Sequence, residues 1–142
     1  MDIQEIKAFA SNYINKLQPS PAGATVIGLR GDLGAGKTTF TQMCANIMGI
    51  SENVTSPTFV ILKKYKINNE VFSDRFSFFI HIDAYRLKGG SELSVLGWQE
   101  IISDPKNLIF IEWPELVADV MPESTRYIDF KHIDETKREI TV

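Results

Sequence analysis

The run Gly31-Asp32-Leu33-Gly34-Ala35-Gly36-Lys37-Thr38 constrains this chain more than any other feature. It fits the P-loop pattern of glycine, any four residues, glycine, lysine, then serine or threonine. Its surroundings fit as well. Ala24-Thr25-Val26-Ile27-Gly28-Leu29 is a mostly apolar run without alternation, as expected of a strand buried on both faces. From Lys37 to Met48 there is no proline or glycine, and Gly49 follows, a common residue just past a helix end. Strand, glycine loop and helix therefore succeed one another. Glycines let the backbone curl so that its N–H groups point inward and, with the helix N-terminus, meet negative charge. The bland alternative is a glycine turn that merely joins strand to helix. The full pattern arises by chance in roughly one chain of this size in a few hundred, which favours a phosphate cradle.

The cradle would comprise Asp32, Leu33, Gly34, Ala35, Gly36, Lys37, Thr38 and Thr39. Lys37 would reach the terminal phosphates, Thr38 would offer its hydroxyl to Mg²⁺, and Thr39 could bond a phosphate oxygen from the first helical turn. Such a site also needs a carboxylate at a strand end beside the loop. Phe78-Phe79-Ile80-His81-Ile82-Asp83 and Leu108-Ile109-Phe110-Ile111-Glu112 each end an apolar run with one. One acid could bind the metal and the other orient the attacking water, and spacing does not assign the roles of Asp83 and Glu112. Ser56-Pro57-Thr58-Phe59 stands where many P-loop proteins keep a loop sensitive to the γ-phosphate, making Thr58 and Thr55 candidate switch hydroxyls; a turn punctuated by Pro57 fits equally. His81 shares a strand face with Asp83, but a lone strand histidine is more often a satisfied structural group. Tyr85 and Arg86 could steady the acid or meet a partner, with a solvated arginine as the default, and Trp113 could be core.

The rest of the chain completes an α/β plan: one P-loop NTPase domain over residues 1–142, a central mixed sheet with antiparallel hairpin additions, and flanking helices. Ile3, Ile6, Phe9, Tyr13, Ile14 and Leu17 predict a first helix that stops at Gln18-Pro19-Ser20-Pro21. Thr58 to Ile67 and Val71 to Ile82, broken at Asn68-Asn69, predict a hairpin. Beyond Gly89-Gly90, Ser91 can cap a helix carrying Leu93, Leu96, Glu100 and Ile101. Pro114 can start a short helix through Val120. Arg126 to Phe130 and Glu139 to Val142 predict a closing hairpin without evident chemistry. A net charge of -3 argues against a broad basic face for nucleic acid. The single cysteine, Cys44, fits a reducing, cytoplasmic setting, and neither an export signal nor a membrane-spanning run is expected.

Together the P-loop with Thr39, Ser56-Pro57-Thr58-Phe59, His81-Ile82-Asp83-Ala84-Tyr85-Arg86-Leu87 and Ile111-Glu112-Trp113-Pro114-Glu115 closely resemble the bacterial TsaE family, formerly YjeE. That resemblance implies an Mg²⁺-dependent ATPase of tRNA threonylcarbamoyladenosine biosynthesis. It would join a TsaD-like threonylcarbamoyl-transferase and its TsaB-like paralogue and support their repeated turnover, meeting tRNA only through the complex. It further implies that Lys37, Thr38 and Thr39 hold phosphates and metal, that Asp83 and Glu112 serve metal and hydrolysis, and that Trp113 matters to activity. Two rivals share the cradle. A small-molecule kinase should carry an arginine-rich lid, whereas Arg75, Arg86, Arg126 and Arg138 form no cluster in sequence. A nucleotide-gated binding module would differ only in lacking turnover. The absence of an Asn-Lys-any-Asp motif weakly favours adenine over guanine.

Overall fold

The computed structural model describes residues 1–50, 52, 54 and 61–142. Six strands form one sheet in the order β2-β3-β4-β1-β5-β6. They are β1 (Thr25–Arg30), β2 (Leu62–Lys66), β3 (Phe78–Asp83), β4 (Asn107–Glu112), β5 (Arg126–His132) and β6 (Arg138–Thr141). The four central strands run parallel, and β2 and β6 pair antiparallel at the two edges. β1 and β4 are buried almost throughout because helices cover both faces, which explains why they read as unbroken apolar runs.

One face carries α1 (Ile3–Lys16) and α2 (Lys37–Ile47). Asp2 starts α1 with a reciprocal cap: its Oδ1 accepts from the Glu5 N–H at 2.9 Å, and Glu5 Oε2 accepts from the Asp2 N–H at 2.7 Å. Arg75 closes the other end by donating to the carbonyls of Leu17 at 2.7 Å and Asn15 at 3.0 Å. Phe40 on α2 stacks on Phe110 of β4 at a centroid distance of 6.2 Å and meets Phe130 of β5 edge-on at 5.4 Å, which seats α2 on the sheet. The opposite face is covered by α4 (Gly90–Val95), α5 (Trp98–Ser103) and a 3₁₀ helix (Pro114–Val120) around Ile80, Ile82, Ile109 and Ile111.

Two expectations are corrected. The segment after Asn68-Asn69 does not resume as a strand at Val71; Glu70–Ser73 forms a single helical turn, α3, and the strand begins only at Phe78. Asn69 Oδ1 accepts from the Val71 N–H at 2.9 Å and Phe72 is buried, so a local cap and one anchor override the β-propensity of Val71. The hairpin pairing of β2 with β3 stands, while residues 58–60 of the proposed first strand lie outside the described residues. The helix from Ser91 is two short helices, because Gly97 adopts a left-handed φ of 86° between them. Its start is capped not by Ser91 but from a distance, Asp119 Oδ1 accepting from the Gly90 N–H at 3.0 Å. Trp98, at the head of α5, is buried and donates its indole N–H to the Val120 carbonyl at 3.0 Å.

Phe40 is the aromatic hub of the α2 face, so Phe40→Ala should cost about 3–5 kcal/mol in urea unfolding. Val95→Ala, at a site 86% exposed, should stay within about 0.5 kcal/mol of the parent, and a comparable loss at both would refute this account of the core.

Candidate functional site

β1 ends at Arg30, and the chain turns through Gly31 into a loop whose geometry only glycine accepts. Gly31 has φ 147°, and a Cβ there would lie 2.5 Å from the Phe130 carbonyl oxygen. Gly34 and Gly36 also take positive φ, and Gly36 leads into α2 without a side-chain cap. The first N–H groups of α2 are thus left facing the loop, with the helix dipole behind them. A cavity of about 400 Å³ opens in front of them. It is bounded by the loop from Leu33 to Thr39, by Asp83 and Glu112 at the ends of β3 and β4, and by Tyr85, Arg86, Trp113 and Arg138.

Lys37 is only 5% exposed. Its ammonium donates to the Gly31 carbonyl and, at 2.9 Å, to that of Asp32, and it lies 4.4 Å above the centre of the Trp113 ring. Burial pulls its pKa below the ordinary value, and the negative charges of Glu112, Glu115, Asp32 and Asp83 oppose that pull without cancelling it. Trp113 holds its position with φ 61°, the one positive φ at a non-glycine residue among those described, and its N–H donates to the Leu29 carbonyl at 3.2 Å. Tyr85 packs on the same indole at a centroid distance of 5.2 Å.

The two carboxylates meet because β3 and β4 are parallel neighbours in which Asp83 pairs with Glu112. Glu112 is buried, and both its oxygens lie 3.2 Å from Thr38 Oγ1. Its Oε2 also lies 2.7 Å from Nε2 of His81, a fully buried ring. Asp83 Oδ1 accepts from the Tyr85 N–H at 3.0 Å. No cluster of three or more His, Cys, Asp or Glu placed to hold a metal exists among the described residues. A hydroxyl and a carboxylate in contact are instead the hard oxygen donors from which Mg²⁺ takes one or two protein ligands, filling its other positions with phosphate and water.

The loop residues Asp32 to Thr39, Asp83, Glu112, Tyr85, Arg86 and Trp113 thus gather at one centre, while Thr58 and Thr55 lie outside the described residues. Two residues gain weight that sequence did not assign them. Arg138, in a hairpin read as chemically silent, lines the cavity, and its side chain passes beside Gly36. It also lines an adjoining cavity of about 300 Å³ bounded by Ile3, Ile6, Phe130 and Ile140. A strand arginine carries no local signal of this kind, since only the sheet order brings β6 to the P-loop. For His81 the alternation with Asp83 was the signal, and its partner lay 31 residues away.

The family model described as threonylcarbamoyl adenosine biosynthesis protein TsaE matches residues 1–140. The chain is 35% identical over 136 residues to the tRNA threonylcarbamoyladenosine biosynthesis protein TsaE of Rickettsia typhi, covering 95% of this chain and 85% of that one. It is 39% identical over 116 residues to the protein of the same name in Bacillus subtilis, covering 82% of this chain and 67% of that one. The crystal structure of Bacillus subtilis YdiB superposes with a TM-score of 0.73 at 31% identity, over 99% of this chain and 78% of that chain.

A depressed lysine pKa means that the native state carries the cost of a buried ammonium below that pKa and sheds it as pH rises through it. Lys37→Met removes the charge, so its thermal midpoint without ligand at pH 7 should match or exceed the parent's, and any gap should close towards pH 10. A fall of more than about 5 °C at pH 7 would mean that the ammonium stabilises the free protein on balance.

Proposed function

The chain belongs to the TsaE family, a family of tRNA threonylcarbamoyladenosine biosynthesis proteins, and from that premise we propose that it is the ATP-binding and ATP-hydrolysing subunit of that pathway, working with Mg²⁺. The observation that carries the ATPase reading is the contact of Thr38 Oγ1 with both oxygens of Glu112 beside a P-loop whose lysine is buried. In this reading the loop N–H groups, Lys37 and Thr39 bind the β- and γ-phosphates, and Thr38 and Glu112 hold Mg²⁺. Bound there, the ion would neutralise charge on the phosphates. Asp83 pairs with Glu112 at the ends of adjacent strands and lines the same cavity, and its role in this reading is to orient the attacking water. Phosphate oxygens would draw the Lys37 ammonium off the carbonyls of Gly31 and Asp32. Arg138 reaches the cavity beside Gly36 and would add a second positive charge. The adjoining apolar cavity is the right kind of space for the adenine ring, since it shares Ala35, Gly36, Thr39 and Arg138 with the phosphate site.

The partners in this reading are a TsaD-like threonylcarbamoyl-transferase and its TsaB-like paralogue, with tRNA met through them. Support comes from the rim of the site, where Leu33 is 70% exposed and Tyr85 49% exposed; apolar groups so placed lose water when a protein covers the nucleotide. No described helix is long and apolar enough to cross a membrane. Such a reaction belongs in the cytoplasm, where ATP and tRNA are at hand.

ATP hydrolysis by the purified chain, alone and with the two partners, tests the proposal. Little turnover alone, marked stimulation in the complex, and a loss of about 100-fold or more in Lys37→Ala are expected. Nucleotide binding with no turnover in any mixture would leave a nucleotide-gated module. Phosphorylation of a small acceptor without partner binding would replace the proposal with a kinase.

A further inference from the structure

His81 is the one strongly polar side chain within the β3 run Phe79 to Ile82, and it is completely buried. Its ring lies parallel to that of Phe79, with centroids 6.5 Å apart and planes inclined by 19°. An imidazole taken out of water costs free energy unless its nitrogens find partners. Nε2 finds one, Glu112 Oε2 at 2.7 Å, while Nδ1 has none among the described residues. A phenylalanine or leucine would fill this position with no buried nitrogen left unpaired, but it would take from the buried Glu112 Oε2 its partner. The ring's polar investment therefore goes into one atom of one carboxylate.

That carboxylate is the one whose oxygens both reach Thr38. A glutamate has three rotatable bonds, and nothing in the pairing of β4 with β3 fixes where its carboxylate ends. The bond from His81 does, because it ties Oε2 to a ring locked in the core. A carboxylate that serves a metal can only accept, so in that reading Nε2 is the donor in this contact. Resting on the reading that Glu112 and Thr38 hold Mg²⁺, we propose that His81 is a positioning residue: its Nε2–H clamps Glu112 Oε2 so that the carboxylate is presented to the metal before nucleotide arrives. Groups behind a metal's direct ligands commonly set its affinity by 10- to 100-fold in this way.

The test uses Mn²⁺ in place of Mg²⁺, with its binding to the full chain in the presence of ADP followed by electron paramagnetic resonance. In His81→Gln the amide nitrogen falls near the position of Nε2 and can still donate to Glu112. In His81→Asn it falls near Nδ1 and cannot reach, and His81→Phe keeps the bulk without a donor. The expected result is a Kd for Mn²⁺ raised about 10- to 100-fold in the Asn and Phe variants, with the Gln variant within about threefold of the parent. ADP affinity in EDTA should change less than about threefold in all of them. Equal Mn²⁺ binding by all four proteins would overturn the proposal and leave His81 as packing, and equal loss in the Gln and Asn variants would do so as well. Should the Phe variant fail to fold, the comparison of Gln with Asn still decides. Glu112→Gln separates the two levels: if it leaves Mn²⁺ affinity intact, the metal-ligand reading fails, whereas its loss beside unaffected His81 variants removes only the clamp.

Discussion

A lysine and a glutamate, both almost without exposure, stand at the mouth of this sheet, and the surrounding structure is arranged to make them bearable. Buried charges are costly unless hydrogen-bonded or paired. Glu112 has the Thr38 hydroxyl and the His81 ring; Lys37 has two loop carbonyls and the face of Trp113. These partners are adequate but weaker than a phosphate or a divalent cation would be. The free protein thus holds its site at some expense to its own stability, and a ligand that satisfies both groups would return that expense as binding free energy and added stability. The left-handed backbone at Trp113 belongs to the same account, since it is a local strain that sets an aromatic face against the ammonium.

Topology decides where those groups can meet. With β3, β4 and β1 parallel and adjacent, their C-terminal ends lie side by side, and register alone puts Asp83 opposite Glu112 and Leu29 opposite Glu112 on the other flank. The P-loop leaves the end of β1, so α2 starts beside both acids. Phe40, one turn into α2, is gripped by Phe110 and Phe130 from two different strands, and Thr41 Oγ1 donates to the Lys37 carbonyl at 2.9 Å. The helix start is therefore anchored by the core to within a side chain's reach of Asp83 and Glu112. A site that depends on contacts near 3 Å needs that rigidity. The antiparallel edges do different work: β2 closes the sheet on the β3 side, while β6 brings Arg138 to the cavity wall beside Gly36.

What sequence revealed follows the range of the interactions involved. The P-loop was legible because its glycines, lysine and threonine act within eight consecutive residues. Asp83 and Glu112 were legible one at a time, each as a polar end to an apolar strand; that they pair needs the strand order. The break at Gly97 follows glycine's own preference for a left-handed φ, set against the helical spacing of Leu93, Leu96, Glu100 and Ile101, while the turn at Glu70–Ser73 was hidden because the burial of Phe72 and the Asn69 cap outweigh the β-propensity of Val71. Arg138 was not legible at all, because an arginine in a terminal hairpin looks the same whether it faces water or a phosphate site. The resemblance in motifs supplied the family, whose matches cover nearly the whole chain; it included His81 without giving it a role and did not reach Arg138.

The asymmetry between the two acids follows from their positions rather than their chemistry. Glu112 is longer by one methylene and starts from the strand beside β1, so it reaches the first turn of α2 while remaining in the core. Asp83 is shorter, one strand farther from the loop, and its Oδ1 already accepts the N–H of Tyr85 two residues on, which turns the chain away from the strand. Had the residues been exchanged, an aspartate at position 112 would fall short of Thr38, and a glutamate at 83 would lose the local bond that shapes the turn before Arg86. The two carboxylates therefore stand differently towards the glycine loop for reasons already contained in the strand order, and the contact of Glu112 with Thr38 requires no further device.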